Sequence, residues 1–273
     1  MIYDLRLSED GRAMPAARVL IYTVALDREG ETGHREMAKI LVSSLLRTYF
    51  TGEILVVHNG DGPLFRVEQK GVKEVVVTMP AAEGYALKYL ARDLIEPSRY
   101  DWVCFLDCDM IALRNVDHLF DPGEKVDILW QPEPSGMATI GYNAYFQPEE
   151  YGRLWRQGAN SGSFAVRGEH YRKVMRQWQE IDITDPVSTK ATYDQPAWNR
   201  LLFDTTLRRR PFERDEIQFP ILFHHRYLEW RSAALLHANG VRDNKLKLEF
   251  LMAQYLGRFL GEPPGPILSM LVP

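Results

Sequence analysis

The segment Asp101-Trp102-Val103-Cys104-Phe105-Leu106-Asp107-Cys108-Asp109 decides the architecture. Trp102 to Leu106 is continuously apolar, the pattern of a strand buried on both faces. It runs straight into two carboxylates separated by one residue. In open α/β sheets ligands bind outside the carboxyl ends of the strands, so Asp107 and Asp109 stand where a site is expected. Two carboxylates there repel each other unless a cation or a proton lies between them. Their hard oxygens suit Mn2+ or Mg2+, ions that also bridge to nucleotide phosphates. A plainer reading competes: one Asp caps a following helix and the other is solvated.

Working outward, Arg18 to Ala25 (RVLIYTVA) is a second strand of the same buried type. Glu36 to Tyr49 carries Met37, Ile40, Leu41, Ser44, Leu45 and Thr48 at helical spacing and predicts a crossover helix. Glu53 to Val57 reads as a strand ending in the turn sequence HNGDGP. Tyr85 to Ile95 reads as a helix stopped before Pro97. Gln131 to Gly158, rich in Pro, Gly, Tyr and Gln, is expected to be a long loop excursion. Beyond it come a strand at Ser163 to Val166 and helices over Glu169 to Glu180 and Gln195 to Phe203. Further strands are expected near Ile217 to Leu222 and Ala233 to His237. Leu246 to Leu260 forms an amphipathic helix with Leu248, Leu251, Tyr255 and Leu256 on one face. This alternation predicts an α/β fold, a mostly parallel sheet flanked by helices. We expect one domain over 1–273, with a nucleotide-binding half at about 18–125, an acceptor-side half at about 126–245 and the C-terminal helix at 246–260.

Composition narrows the function. The chain has 273 residues and is 45% hydrophobic, enough for a sizeable core. A net charge of -4 argues against a nucleic-acid partner. The longest near-apolar stretch, Val19 to Leu26, is far too short for a transmembrane segment. The first residues are acidic where a signal peptide would be apolar. The expectation is a cytoplasmic protein, with the amphipathic C-terminal helix leaving room for a peripheral membrane location. Cys104 and Cys108 would lie roughly 13 Å apart along a strand, beyond the roughly 7 Å that a disulfide spans, so both are expected reduced.

The run DWVCFLDCDMIALRNVDHLF (101–120) resembles the metal-binding segment of A-type-fold glycosyltransferases, closest to the glycogenin-like and bacterial galactosyltransferase retaining family (family 8). Three further segments follow in that family's order: Asn160-Ser161-Gly162, then Asp194-Gln195 with Asn199, then His237 and Gly240 in LLHANG. Lys88 matches a basic residue that precedes the carboxylate strand. The resemblance implies the nucleotide-diphospho-sugar transferase (Rossmann-like) fold, with Asp107, Asp109 and His237 as ligands to Mn2+ or Mg2+. It implies a nucleotide-sugar donor, a UDP-sugar, and transfer with retention. Asn160, Asp194 and Gln195 would act at the transferred sugar, and Asp107, Lys88 and Gly240 would contact the donor nucleotide. The family's lysine soon after His-x-x-Gly is replaced here, with Arg242 and Lys245 on either side, and its Pro-Trp is absent. Lys245 or Arg242 would then be the diphosphate cation. The family's base-binding loop is also replaced, by Leu26-Asp27-Arg28-Glu29-Gly30-Glu31, and Asp27 is taken as the base contact. The acceptor is not legible; a glycan is one candidate.

Structural alternatives stand beside each residue. His237 follows an apolar run, and its competing reading is a satisfied buried histidine. Asp194 competes as a helix N-cap, Asn160 as part of a loop turn, and Lys88 as a solvated helix residue. His224-His225 are adjacent on a strand and point to opposite faces, so they make no metal pair. Trp130, Tyr142, Tyr145 and Trp155 either pack or stack on an acceptor sugar. One rival function is a haloacid-dehalogenase-type phosphatase with Asp107 as nucleophile, although such proteins carry their motif near the N-terminus. A nucleotidyltransferase would need a glycine-rich loop after the first strand. A non-catalytic nucleotide-sugar-binding module is the third rival.

Overall fold

The computed structural model describes residues 17–27, 32–78, 86–120, 125–133, 145–150, 158–184, 194–213, 215–219, 232–239 and 243–261. Ten strands are described: β1 (Val19–Ala25), β2 (Glu53–His58), β3 (Val72–Val76), β4 (Trp102–Leu106), β5 (Met110–Ala112), β6 (Ile128–Pro132), β7 (Ala159–Arg167), β8 (Arg209–Pro211), β9 (Ile217–Gln218) and β10 (Leu235–His237). The α-helices are α1 (His34–Arg47), α2 (Leu87–Leu90), α3 (Gly168–Thr184), α4 (Gln195–Asp204) and α5 (Asn244–Phe259).

Seven strands form a mixed sheet in the order β3-β2-β1-β4-β7-β6-β8. Of these, β7 runs antiparallel to both its neighbours, and the other pairings are parallel. The chain first builds β1, β2 and β3 outward in one direction. It then returns to add β4 on the other side of β1. That reversal opens a crevice at the carboxyl ends of β1 and β4, the place where such sheets take ligands. A second sheet, β5-β10-β9, sits beyond the end of β4.

Successive strand residues point to opposite faces, and both faces are buried. Val19 and Ile21 of β1 and Trp102, Cys104 and Leu106 of β4 pack with α1 and α5. Leu20 and Tyr22 of β1 and Val103 and Phe105 of β4 pack against α2, α3 and α4. The stripe expected on α1 is buried, including Ser44. That serine is a satisfied core group: its Oγ donates to Leu41 O and accepts from Ala112 N at 2.9 Å, which docks β5 on the helix.

Several elements differ from expectation. The helix expected over Tyr85 to Ile95 is one α-turn, Leu87–Leu90, followed by a 3-10 turn at Ala91–Asp93. The strand expected at Ser163 to Val166 starts four residues earlier, at Ala159, so Asn160-Ser161-Gly162 lie in a strand rather than a loop turn. Gln131 belongs to β6 and not to the loop excursion. Strands β3, β5, β6 and β8 were not expected: β3 and β8 are incompletely buried at the sheet edges, and β5 and β6 are short buried runs without a periodic pattern. Trp130 lies in the core and is not free for a sugar. Both cysteines are free and buried. No described helix is long and apolar enough to cross a membrane.

The start of α3 depends on a close approach. A Cβ on Gly168 would collide with the carbonyl oxygens of Tyr100 and Pro97. Backbone atoms there cannot swing aside, so Gly168→Ala is expected to cost about 1–3 kcal/mol, measured by denaturant unfolding.

Candidate metal and nucleotide site

Three remote segments meet at the crevice. Asp107 and Asp109 leave the end of β4. His237 ends β10, which pairs with β5 in the register His237↔Met110 and Leu236↔Ile111. A backbone bond from Ala238 N to Asp109 O, 2.9 Å, locks that register. His237 Nε2 thereby lies 3.2 Å from Asp109 Oδ1 and 3.7 Å from Asp107 Oδ2. One ligand atom from each of the three side chains falls within 4.8 Å of the others.

The third segment is Ser161-Gly162-Ser163. Trp130 of β6 faces Phe164 of β7, but the next residue, Gln131, faces Asn160. Ser161, Gly162 and Ser163 therefore have no counterpart on β6. Such irregularities re-aim side chains beside sites. Gly162 is pressed against the cluster: its carbonyl accepts Asp107 N at 2.7 Å, and a Cβ on it would collide with Asp107 Oδ2 and His237 Cε1.

Two ammonium groups balance the acids. Lys88 Nζ is 3.4 Å from Asp107 Oδ1 and 3.3 Å from Asp194 Oδ2, and it donates to Ser161 O. Lys247 Nζ is 2.6 Å from Asp109 Oδ2. Burial disfavours both ammonium ions, but the neighbouring carboxylates outweigh it and hold both pKa values above the ordinary lysine range. Burial likewise opposes ionised Asp109, yet Lys247 and His237 hold its carboxyl well below the usual carboxylate range. For Asp194 burial prevails over Lys88, and its pKa rises to about 6.

The donor set fits a hard divalent cation. It has two carboxylates and one imidazole, closed on one side by a glycine with no room for a side chain. Asp109 Oδ1 is buried with no hydrogen-bond partner among the described residues, although His237 Nε2 lies 3.2 Å away. Buried acceptors of this kind are normally satisfied, and a cation would satisfy this one.

The other expected residues divide. Lys88, Asn160, Asp194 and Gln195 all gather around the cluster. Asp194 flanks α4, but its side chain makes no capping bond; it faces Lys88 instead. Asn160 Nδ2 and Gln195 Nε2 each donate to Glu133 Oε2 at 3.1 Å. Gln195 Oε1 accepts from Ser161 N. Asn199 is structural, its amide clamping the backbone N–H and carbonyl of Ala159. Lys245 is exposed on α5, where its backbone N–H donates to the Asp243 cap; among the described residues of this segment, the cation that reaches the site is Lys247. The Asp27 carboxylate accepts the backbone N–H of His34, and its neighbours Leu26 and His34 line the cleft. Gly240, Arg242, residues 28–31, Tyr142, Trp155, His224 and His225 lie outside the described residues.

Glu133, Gln131, Ser163 and Lys247 are the members that sequence reasoning missed. Of these, Lys247 left a trace: with Phe250, Leu251 and Gln254 it shares the i, i+3, i+4, i+7 face that packs inward. The cleft in front of the cluster encloses about 620 Å³, counting space open to solvent. Val24 and Leu26 from the end of β1, Met37, and Phe105 supply its apolar wall, and Lys88, Asp107, Asp109 and Lys247 its charged floor.

Fold and site together define an α/β protein with a carboxylate–imidazole cluster at the switch point of its sheet. Compared with known proteins, the chain matches no family model and no curated protein.

Proposed function

We propose that this chain is a metal-dependent glycosyltransferase of the nucleotide-diphospho-sugar (A-type) fold, transferring a sugar from a UDP-sugar donor with retention at the anomeric carbon. One observation carries the reading: Asp107, Asp109 and His237 converge at the carboxyl ends of the strands, between the buried Lys88 and the half-buried Lys247. Donor type and retention rest on the ordered resemblance of 101–120, Asn160-Ser161-Gly162, Asp194-Gln195 and LLHANG.

In this reading Asp107, Asp109 and His237 hold Mn2+ or Mg2+, which supplies Lewis acidity to the diphosphate. The ammonium groups of Lys88 and Lys247 add positive charge where the leaving group becomes anionic. Lys247 takes the place expected for Lys245. Asn160, Gln195 and Asp194 orient the sugar near the acceptor hydroxyl, with Glu133 fixing both amides. The acceptor side is the 131–158 region, and a glycan is the acceptor class we favour.

The reading is tested by calorimetric titration of uridine diphosphate into metal-stripped protein, with and without Mn2+, repeated on Asp109→Ala. We expect binding that requires Mn2+ and is lost in the variant. Absence of binding in every condition would reject the uridine donor and make guanosine diphosphate the next ligand. Turnover of an aryl phosphate that survives His237→Ala would assign Asp107 as a phosphoryl nucleophile instead.

A further inference from the structure

Imidazole holds a cation through its unprotonated nitrogen, and the partner of the other nitrogen decides which one that is. His237 turns Nε2 toward Asp107 and Asp109. Its Nδ1 lies 3.1 Å from Gln131 Oε1. Gln131 is 1% exposed and comes from β6, a strand that carries neither the carboxylates nor the histidine. The register shift after Trp130 is what aims it here. Its Oε1 also accepts the Ser163 hydroxyl, from the stretch of β7 that has no counterpart on β6. Its amide nitrogen is buried without a hydrogen-bond partner among the described residues. The acceptor end of this amide is therefore the end in use.

We propose that Gln131 is a positioning residue that fixes His237 as the Nδ1–H tautomer, so that Nε2 presents its lone pair to a divalent cation held with Asp107 and Asp109. The alternative tautomer has a ready partner. An Nε2–H would face Asp109 Oδ1 at 3.2 Å, and a bond there would close the site against an ion. Gln131 Oε1 stabilises the open form by accepting the proton's hydrogen bond on the far side of the ring. With the proton on Nδ1, both Nε2 and Asp109 Oδ1 keep a lone pair for the ion. This inference rests on the metal reading of the cluster and adds a residue outside the ligand set.

The test compares the full chain with Gln131→Met, which keeps volume without an acceptor, and Gln131→Glu, which keeps the acceptor. Histidine-selective ¹⁵N NMR on metal-free protein at pH 8 reads the tautomer, and electron paramagnetic resonance titration reads Mn2+ affinity. The wild type is expected to carry its His237 proton on Nδ1. Gln131→Met should move it to Nε2 and weaken Mn2+ binding by about 10–100-fold; Gln131→Glu should restore both. A wild-type proton on Nε2 overturns the inference, even where the Met variant fails to fold. So does an unchanged tautomer in Gln131→Met. If the wild type has the Nδ1–H tautomer but binds no Mn2+, the metal reading fails while the assignment of Gln131 to tautomer control stands.

Discussion

Lys88→Met is expected to destabilise the protein by about 3–5 kcal/mol at pH 8, because it strands the buried Asp194 carboxylate without its cation. Lys88 is 6% exposed and Asp194 3%, so water cannot replace the lost ammonium. The size matters against a typical folding stability of about 5–15 kcal/mol. The effect also carries a pH signature. Burial already raises the Asp194 pKa to about 6 with Lys88 present, and removing the lysine raises it further. A carboxyl whose folded pKa lies above its unfolded value of about 4 binds more protons when folded across that interval. Stability therefore falls as pH rises through the folded pKa and returns as pH drops below it. Denaturant unfolding at pH 8 and pH 5 should show the variant recovering toward wild type at the lower pH. Adding Asp194→Asn should restore much of the loss at pH 8. A single variant as stable as wild type at pH 8 would mean that Lys88 does not screen Asp194.

Gly162→Ala is expected to abolish divalent-cation binding while leaving a folded protein. The added methyl would collide with Asp107 Oδ2 and His237 Cε1 and would lie 2.7 Å from Asn160 Oδ1. Two of those three side chains are proposed ligands, and ligand distances are set within a few tenths of an ångström. Backbone shift cannot relieve the clash cheaply, because the Gly162 carbonyl is bonded to Asp107 N and its N–H to Asn160 Oδ1. The folding cost should stay near the 1–3 kcal/mol typical of overpacking. Mn2+ affinity should fall by more than the roughly 10–100-fold that a disturbed supporting residue costs. Paramagnetic titration alongside thermal unfolding separates the two effects. Wild-type affinity in Gly162→Ala would show that the cluster is not where the ion binds.

Much of the scaffold was legible because its signals are local. β1, β2 and β4 are apolar on both faces, and α1 carries a 3.6-residue stripe whose members are all buried. The acid pair was legible because it interrupts an apolar run. The edge strands were not, since half-exposed charged residues carry no periodicity. Asn160 lies in a strand and not in a turn, while Asp194 turns its side chain to Lys88 and not to the helix N-terminus that competed for it. Glu133 was hidden by its surroundings, which read as the start of a loop.

By itself the sequence determined the central strands β1, β2 and β4, helix α1, the burial of both sheet faces and the position of two carboxylates at a strand end. Each depends on residues a few positions apart, whose spacing decides which way they point. Only the tertiary structure decided that Lys247 rather than Lys245 enters the site, that Gln131 faces the imidazole, and that Gly162 has no room for a methyl group. Those contacts join segments far apart in the chain. They are set by the phase of α5, the pairing of β10 with β5 and a register shift between β6 and β7, which strand order and long-range packing impose and local patterning does not encode.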